Sequence, residues 1–233
     1  VRRETQHVLL VLLGGALLRI AADDTHLRYV RPAHRWLLLG AGAVVVVLAV
    51  VALVRDRRGG AVAAEHHDHG GERHAPWLLL APVLVIALVA PPALGADAVV
   101  RAGAGNAVIG AADAFPPLPD GAALTVAEVV RRAAWDTSGS LDGREVELTG
   151  FVVRRGAAVE LARLTIACCA ADARAHRVRL VGADELGDPP PDTWLRVRGR
   201  VQSGSATAAT GRVPALTVTA ADVVTAPPDP YEY

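Results

Sequence analysis

Between Trp36 and Val54 the chain reads WLLLGAGAVVVVLAVVALV, 19 positions with no charge, closed by Arg55-Asp56-Arg57-Arg58. A soluble core helix of that length needs a polar stripe, and this run has none. At 1.5 Å per residue it nearly matches a hydrocarbon core about 30 Å thick, so it predicts a membrane span over 36–54. A second uncharged run, 76–96, begins at Trp77 and contains Pro82, Pro91 and Pro92. Proline is better tolerated in membrane helices than in soluble ones, and tryptophan suits the interface, so this run predicts another span. The run over 8–22 is shorter and interrupted by Arg19. It predicts an uncleaved first span, with a signal peptide as the alternative because Arg2 and Arg3 precede it. The pattern thus places two to three spans within a membrane region over 1–96.

Beyond the last span the pattern changes. Residues 97–121 are rich in glycine, alanine and proline and predict a linker. LTVAEVVRRAAWD, 124–136, predicts a short helix: Thr125 and Glu128 have capping-box spacing, and Val126, Val129, Val130 and Ala133 form its apolar stripe. From Arg144 the period drops to two, with Glu145 and Glu147 outward and Val146 and Leu148 inward. Strands are expected over 144–153, 158–167, 176–182, 194–202 and 215–225, and Pro189-Pro190-Pro191 excludes another between the third and fourth. Five short strands and one helix predict a mostly-β domain over 122–226, an OB-like, partly closed barrel, with 227–233 as a tail.

Charge alters the picture in two places. The formal net charge is zero, so no global basic field points to nucleic acid. Arg177 and Arg179 alternate along one strand, and Arg196, Arg198 and Arg200 along another. They form either a basic face for an anionic ligand or a solvated face paired with Glu145 and Glu147. The second is favoured, because Trp194 is the one aromatic among them and stacking platforms are missing. Arginine counts also set sidedness. Six (Arg2, Arg3, Arg55, Arg57, Arg58, Arg73) flank one side of the spans and three (Arg28, Arg31, Arg35) the other. The bias puts the first group inside and the C-terminal domain on the outer side of a bacterial cell membrane.

The candidate chemistry lies in two segments. TIACCAADARAH, 165–176, holds the chain's two cysteines, Cys168 and Cys169, followed by Asp172 and His176. Adjacent Cα atoms lie 3.8 Å apart, short of the usual disulfide range, and in a continuous strand the two sulfurs would face opposite ways. The following AADA is poor in strand formers, so the chain is expected to turn at the cysteines, where both sulfurs can point the same way. Three readings stand: a Zn²⁺ or Cu⁺ site completed by Asp172 or His176, a strained redox pair, or two small buried hydrophobes at a strand end. The other segment, EHHDHGGERH, packs His66, His67, His69 and His74 into nine positions, half of the chain's eight histidines. Its glycines let imidazoles converge, so weak metal collection is expected there. No nucleophile–base pair, phosphate loop or paired catalytic carboxylates stand out, so an enzyme is not expected.

Together the N-terminal spans, Leu27–Pro32 (LRYVRP), the His-rich loop, the Pro-Pro near the last span's end, Gly150-Phe151-Val152, Cys168–Ala173 (CCAADA) and Trp194–Gly199 resemble the YcgQ-like bacterial family of permease subunits. CCAADA is the most specific of these elements. The resemblance implies a small membrane subunit, in contact with lipid and a larger polytopic permease, linked to zinc-like metal homeostasis and carrying no catalytic residues. A membrane-tethered thiol redox protein and a purely structural interaction domain are the alternatives.

Overall fold

The computed structural model describes residues 3–58, 91–106, 115–119, 123–182 and 187–233. The chain forms two compact units, Val1–Pro92 and Ala93–Tyr233. In the first, helix α1 (Arg3–Ala22) and helix α2 (Arg35–Arg58) are joined by two single-turn 3-10 helices, Thr25–Arg28 and Pro32–His34. They pack antiparallel through glycine: a Cβ on Gly14 would lie 2.7 Å from Val46 Cγ2 and 2.9 Å from the Gly42 carbonyl oxygen. Small residues let two helices approach closely where no polar groups draw them together. His7 Nε2 lies 3.7 Å from Asp56 Oδ2 at one end, and Arg35 Nη1 lies 3.2 Å from Asp24 at the other.

Pro32–Arg58, 27 residues, is long and apolar enough to cross a membrane, whereas the apolar helix Gln6–Ala22 is shorter. Trp36, Leu37, Val44, Val47 and Leu48 are exposed along α2, a surface matched to lipid tails rather than water. Of the expected third span, 76–90 lies outside the described residues. Residues 91–95 are irregular, and Ala96 opens a helix of the second unit.

The second unit contains α3 (Ala96–Arg101), α4 (Val126–Trp135) and strands β1 (Glu145–Arg155), β2 (Ala158–Thr165), β3 (Arg174–Val181), β4 (Trp194–Val201), β5 (Ala215–Val223) and β6 (Tyr231–Glu232). All six strands form one sheet in the order β1-β4-β5-β3-β2-β6, and β1 also pairs with β2. The pairings of β1 to β5 therefore run in a ring. The β3–β5 and β2–β6 pairs are parallel and the rest antiparallel. The five expected strands all form, each within a few residues of its expected ends.

Two glycines allow the ring to bend. At Gly150, β1 passes from β4 to β2, and an added Cβ would sit 2.6 Å from the Ala162 carbonyl oxygen. At Gly199 the β4–β5 register slips by a residue, and an added Cβ would run into the Thr217 carbonyl oxygen. A backbone oxygen in a ladder has little room to retreat. We expect Gly199→Ala to lower stability by about 2 kcal/mol or more in urea unfolding, and an unchanged midpoint would disprove the close approach.

One core joins Val126, Val129 and Val130 of α4 to Leu148, Val152, Leu161, Val178, Leu195 and Leu216. A second joins Ala96 and Val99 of α3 to Phe151, Val153, Ala162, Leu164 and Tyr231. Two expectations are corrected here. The proposed linker over 97–121 is not a spacer where it is described: α3 is core, and Asn106 bonds the backbone of Arg177 and Arg212. The proposed tail over 227–233 supplies β6 and a buried Tyr231, whose hydroxyl accepts the Leu94 amide at 3.2 Å. Both segments are low in apolar periodicity, because each contributes only a few buried residues to a surface built elsewhere.

Candidate metal centre

β2 ends at Thr165, where the alternation stops, and Ala170–Asp172 winds into a single 3-10 turn before β3 begins at Arg174. Both cysteines lie in this connection, outside β2 and β3. Their sulfurs are 3.7 Å apart, and neither forms a disulfide. Cys168 is exposed and Cys169 half-buried, so they are not two small hydrophobes in the core.

Asp172 shapes the turn. Its Oδ1 accepts the Ala167 amide at 2.7 Å, and its Oδ2 accepts the amides of Cys168 at 2.8 Å and Cys169 at 3.3 Å. Three converging N–H groups curl the backbone around one carboxylate, which keeps both cysteine side chains on one side. The Cys168 thiol and these amides hold the Asp172 carboxyl well below the usual carboxylate range. The reciprocal effect pushes the Cys168 thiol up to about 11: its hydrogen bond to Asp172 comes first, then its contact with Cys169. At neutral pH the connection presents Cys168 as a protonated thiol beside a carboxylate. One ligand atom from each of Cys168, Cys169 and Asp172 fits within a 4.8 Å cluster, the group among the described residues able to hold a metal ion.

His176 does not join them. It lies on β3 opposite Arg163, nearly fully buried, with Nε2 3.0 Å from Thr165 Oγ1 and Nδ1 enclosed without a hydrogen-bond partner. Burial, then the charges of Arg174 and Arg131, lowers its pKa to about 4. It is neutral and sealed into the fold. His66, His67, His69 and His74 lie outside the described residues.

The basic strands divide. Arg196 and Arg198 flank Glu147, each 3.7 Å from it, on a solvated face as expected. Arg177 does not belong to such a face: it is fully buried and donates to the carbonyls of Gly103 and Gly105. The role of Asp172 as amide acceptor was also not foreseen. Its position three residues after Cys169, the spacing of a capping box, is the signal that could have revealed it.

Among the described residues, then, one helix is long and apolar enough to cross a membrane, and the small β unit carries two adjacent thiols, one exposed and one half-buried, beside a carboxylate. Residues 134–233, containing all six strands and the Cys168–Asp172 turn, match the family model described as the DUF1980 C-terminal domain. The match agrees with the resemblance carried by CCAADA. No curated protein and no solved structure matches the chain.

Proposed function

We propose that this chain is a membrane-held accessory subunit of a two-component permease, whose β unit offers Cys168 and Cys169 to a thiophilic cation of the zinc or copper(I) type. The observation that carries this reading is the sulfur separation. A tetrahedral ion bound at about 2.3 Å by two thiolates needs the sulfurs about 3.8 Å apart. They stand at 3.7 Å, so a cation could seat without moving the backbone. Asp172 either gives an oxygen to the ion or, through its three amides, orients the two thiolates beneath it. The ring of strands is read as an OB-like barrel that displays this turn, and the N-terminal helices as a multi-pass anchor with the β unit outside.

The same geometry disfavours the redox alternative. A reactive cysteine is one whose thiol is lowered toward neutral pH, and Cys168 is shifted the other way. A cation held by two thiolates must instead displace a proton from each thiol, so affinity should rise with pH by up to about 100-fold per unit through the neutral range.

The test is titration of the full, reduced chain in detergent with Zn²⁺ and with Cu⁺ against a competing chelator. One-to-one binding should weaken about 100-fold or more in Cys168→Ser and in Cys169→Ser, and about ten-fold in Asp172→Asn. Affinity unchanged in both serine variants would sink the thiol site, and a mixed disulfide trapped with a partner would favour redox chemistry.

A further inference from the structure

On the β unit, away from the thiol turn, a cleft of about 540 Å³ opens between the β1–β2 hairpin, β3 and the 208–213 loop. Its charged lining consists of Arg155, Glu160 and Arg179. Glu160 and Arg179 are cross-strand partners of β2 and β3 and therefore share a face. Glu160 is only 5% exposed. Its neighbours are Arg155 Nε and Arg177 Nη1, each 3.9 Å away, too far for a hydrogen bond.

The unmet polar groups converge here. Glu160 Oε2, Arg155 Nε and Arg177 Nε are all enclosed without a hydrogen-bond partner. The Arg179 side chain forms no ion pair or hydrogen bond among the described residues. Arg177 is committed to the cleft wall, where its guanidinium holds the carbonyls of Gly103 and Gly105. The wall is kept close by glycine: a Cβ on Gly211 would lie 2.8 Å from the Gly105 Cα. Glu160 is thus ion-paired to Arg155 and Arg177 but hydrogen-bonded to neither, and a buried carboxylate with that much unused acceptor capacity at the wall of a cleft calls for a donor from outside the fold.

We propose that this cleft binds a tetrahedral oxyanion that still carries a proton, hydrogen phosphate being the simplest member of the class. Three guanidiniums against one carboxylate leave two positive charges to be matched, which selects a dianion. Arg179 donates to its oxygens, and Arg155, whose Nη2 is committed to the Gly103 carbonyl at 2.8 Å, adds its remaining N–H groups. Glu160, which can only accept while ionised, takes the hydrogen bond from the ligand's hydroxyl. Sulfate has the same shape and charge but no proton, so it would set an oxygen lone pair against the Glu160 carboxylate. The carboxylate is therefore the specificity element, and the arginines supply affinity.

The experiment is binding of inorganic phosphate and of sulfate to the full chain in detergent, in a phosphate-free buffer containing a metal chelator. Phosphate is expected to bind at least about ten-fold more tightly than sulfate. Arg179→Gln, a change at a partly exposed position, should weaken phosphate by about ten-fold. Glu160→Gln, whose amide can donate, should bring the two anions level. If that variant fails to fold, the anion ratio in the wild type and the Arg179→Gln result still decide. Equal binding of the two anions, no phosphate binding at millimolar concentration, or an Arg179→Gln affinity equal to wild type would each overturn the proposal.

Discussion

Glu232→Ala is expected to destabilise the β unit by about 3–5 kcal/mol, although the residue is the second from the C-terminal end. Its carboxylate accepts the Val126 amide at 2.9 Å and the Ala127 amide at 3.0 Å, two of the four donors that the start of α4 leaves unmet. It also faces Arg163, with Nε to Oε1 at 3.7 Å and both side chains 9% exposed. Arg163 in turn lies over the Trp194 ring and donates to the Tyr231 carbonyl. One side chain thus ties β6, α4 and β2 together. Burial raises the Glu232 pKa against the pull of the two amides and Arg163, so the charge is held at a cost and is useful only while its partners are present. Deleting the carboxylate strands a buried guanidinium and two helix-end donors, the large-penalty case for breaking a buried pair. Glu232→Gln keeps an acceptor and should lose about half as much. Thermal unfolding of the full chain should show a midpoint lower by roughly 10 °C for the alanine variant, with faster hydrogen exchange at Val126 and Ala127. A midpoint within a degree of wild type would mean that water replaces the cap.

That interaction shows where the sequence was readable. β1, β4 and β5 were legible because part of each alternates, with Val146, Leu148, Val197 and Leu216 turned inward, whereas β2 and β3, buried along runs of consecutive residues, were legible only as short strand-forming runs between breaks. The start of α4 was legible because Thr125 caps locally, accepting the Glu128 amide at 3.0 Å. The other half of the expected box differs, since Glu128 turns to Arg132, 2.8 Å away. β6 was not legible: two residues next to prolines have no period, and Tyr231 is buried only because β2 offers it an edge. α3 was hidden for the same reason. The turn at the cysteines followed from local propensity, but the partner that fixes it, Asp172, acts through backbone amides that no side-chain pattern displays. Arg177 was misread because strand alternation marks a face without saying whether that face is covered; here residues 103–106 cover it.

Acidification is the second large effect, and it separates His176 from the thiol site. In the unfolded chain this imidazole titrates near its ordinary value, about 6.5, and in the fold it is lowered to about 4. A base with a depressed folded pKa contributes stability that is fully present above about 6.5 and is lost as pH falls toward 4, because the unfolded state takes up the proton first. At 1.36 kcal/mol per unit the loss reaches about 2 kcal/mol at pH 5 and about 3 kcal/mol near pH 4. Carboxylates also titrate at the lower end, so the measurement is a difference: urea unfolding of wild type and His176→Gln at pH 7, 6 and 5. The two free-energy profiles should converge as pH falls. Parallel profiles would show that His176 is protonated inside the fold. Zinc affinity adds an independent arm. With Nδ1 enclosed and Nε2 on Thr165, His176 cannot reach a cation at Cys168 and Cys169 without leaving the core. His176→Gln should therefore change the pH profile of stability while leaving zinc affinity at pH 7 within about two-fold of wild type. A loss of zinc affinity as large as that of Cys168→Ser would mean that metal binding pulls His176 out of the core, and the site would then be a switch built across β3.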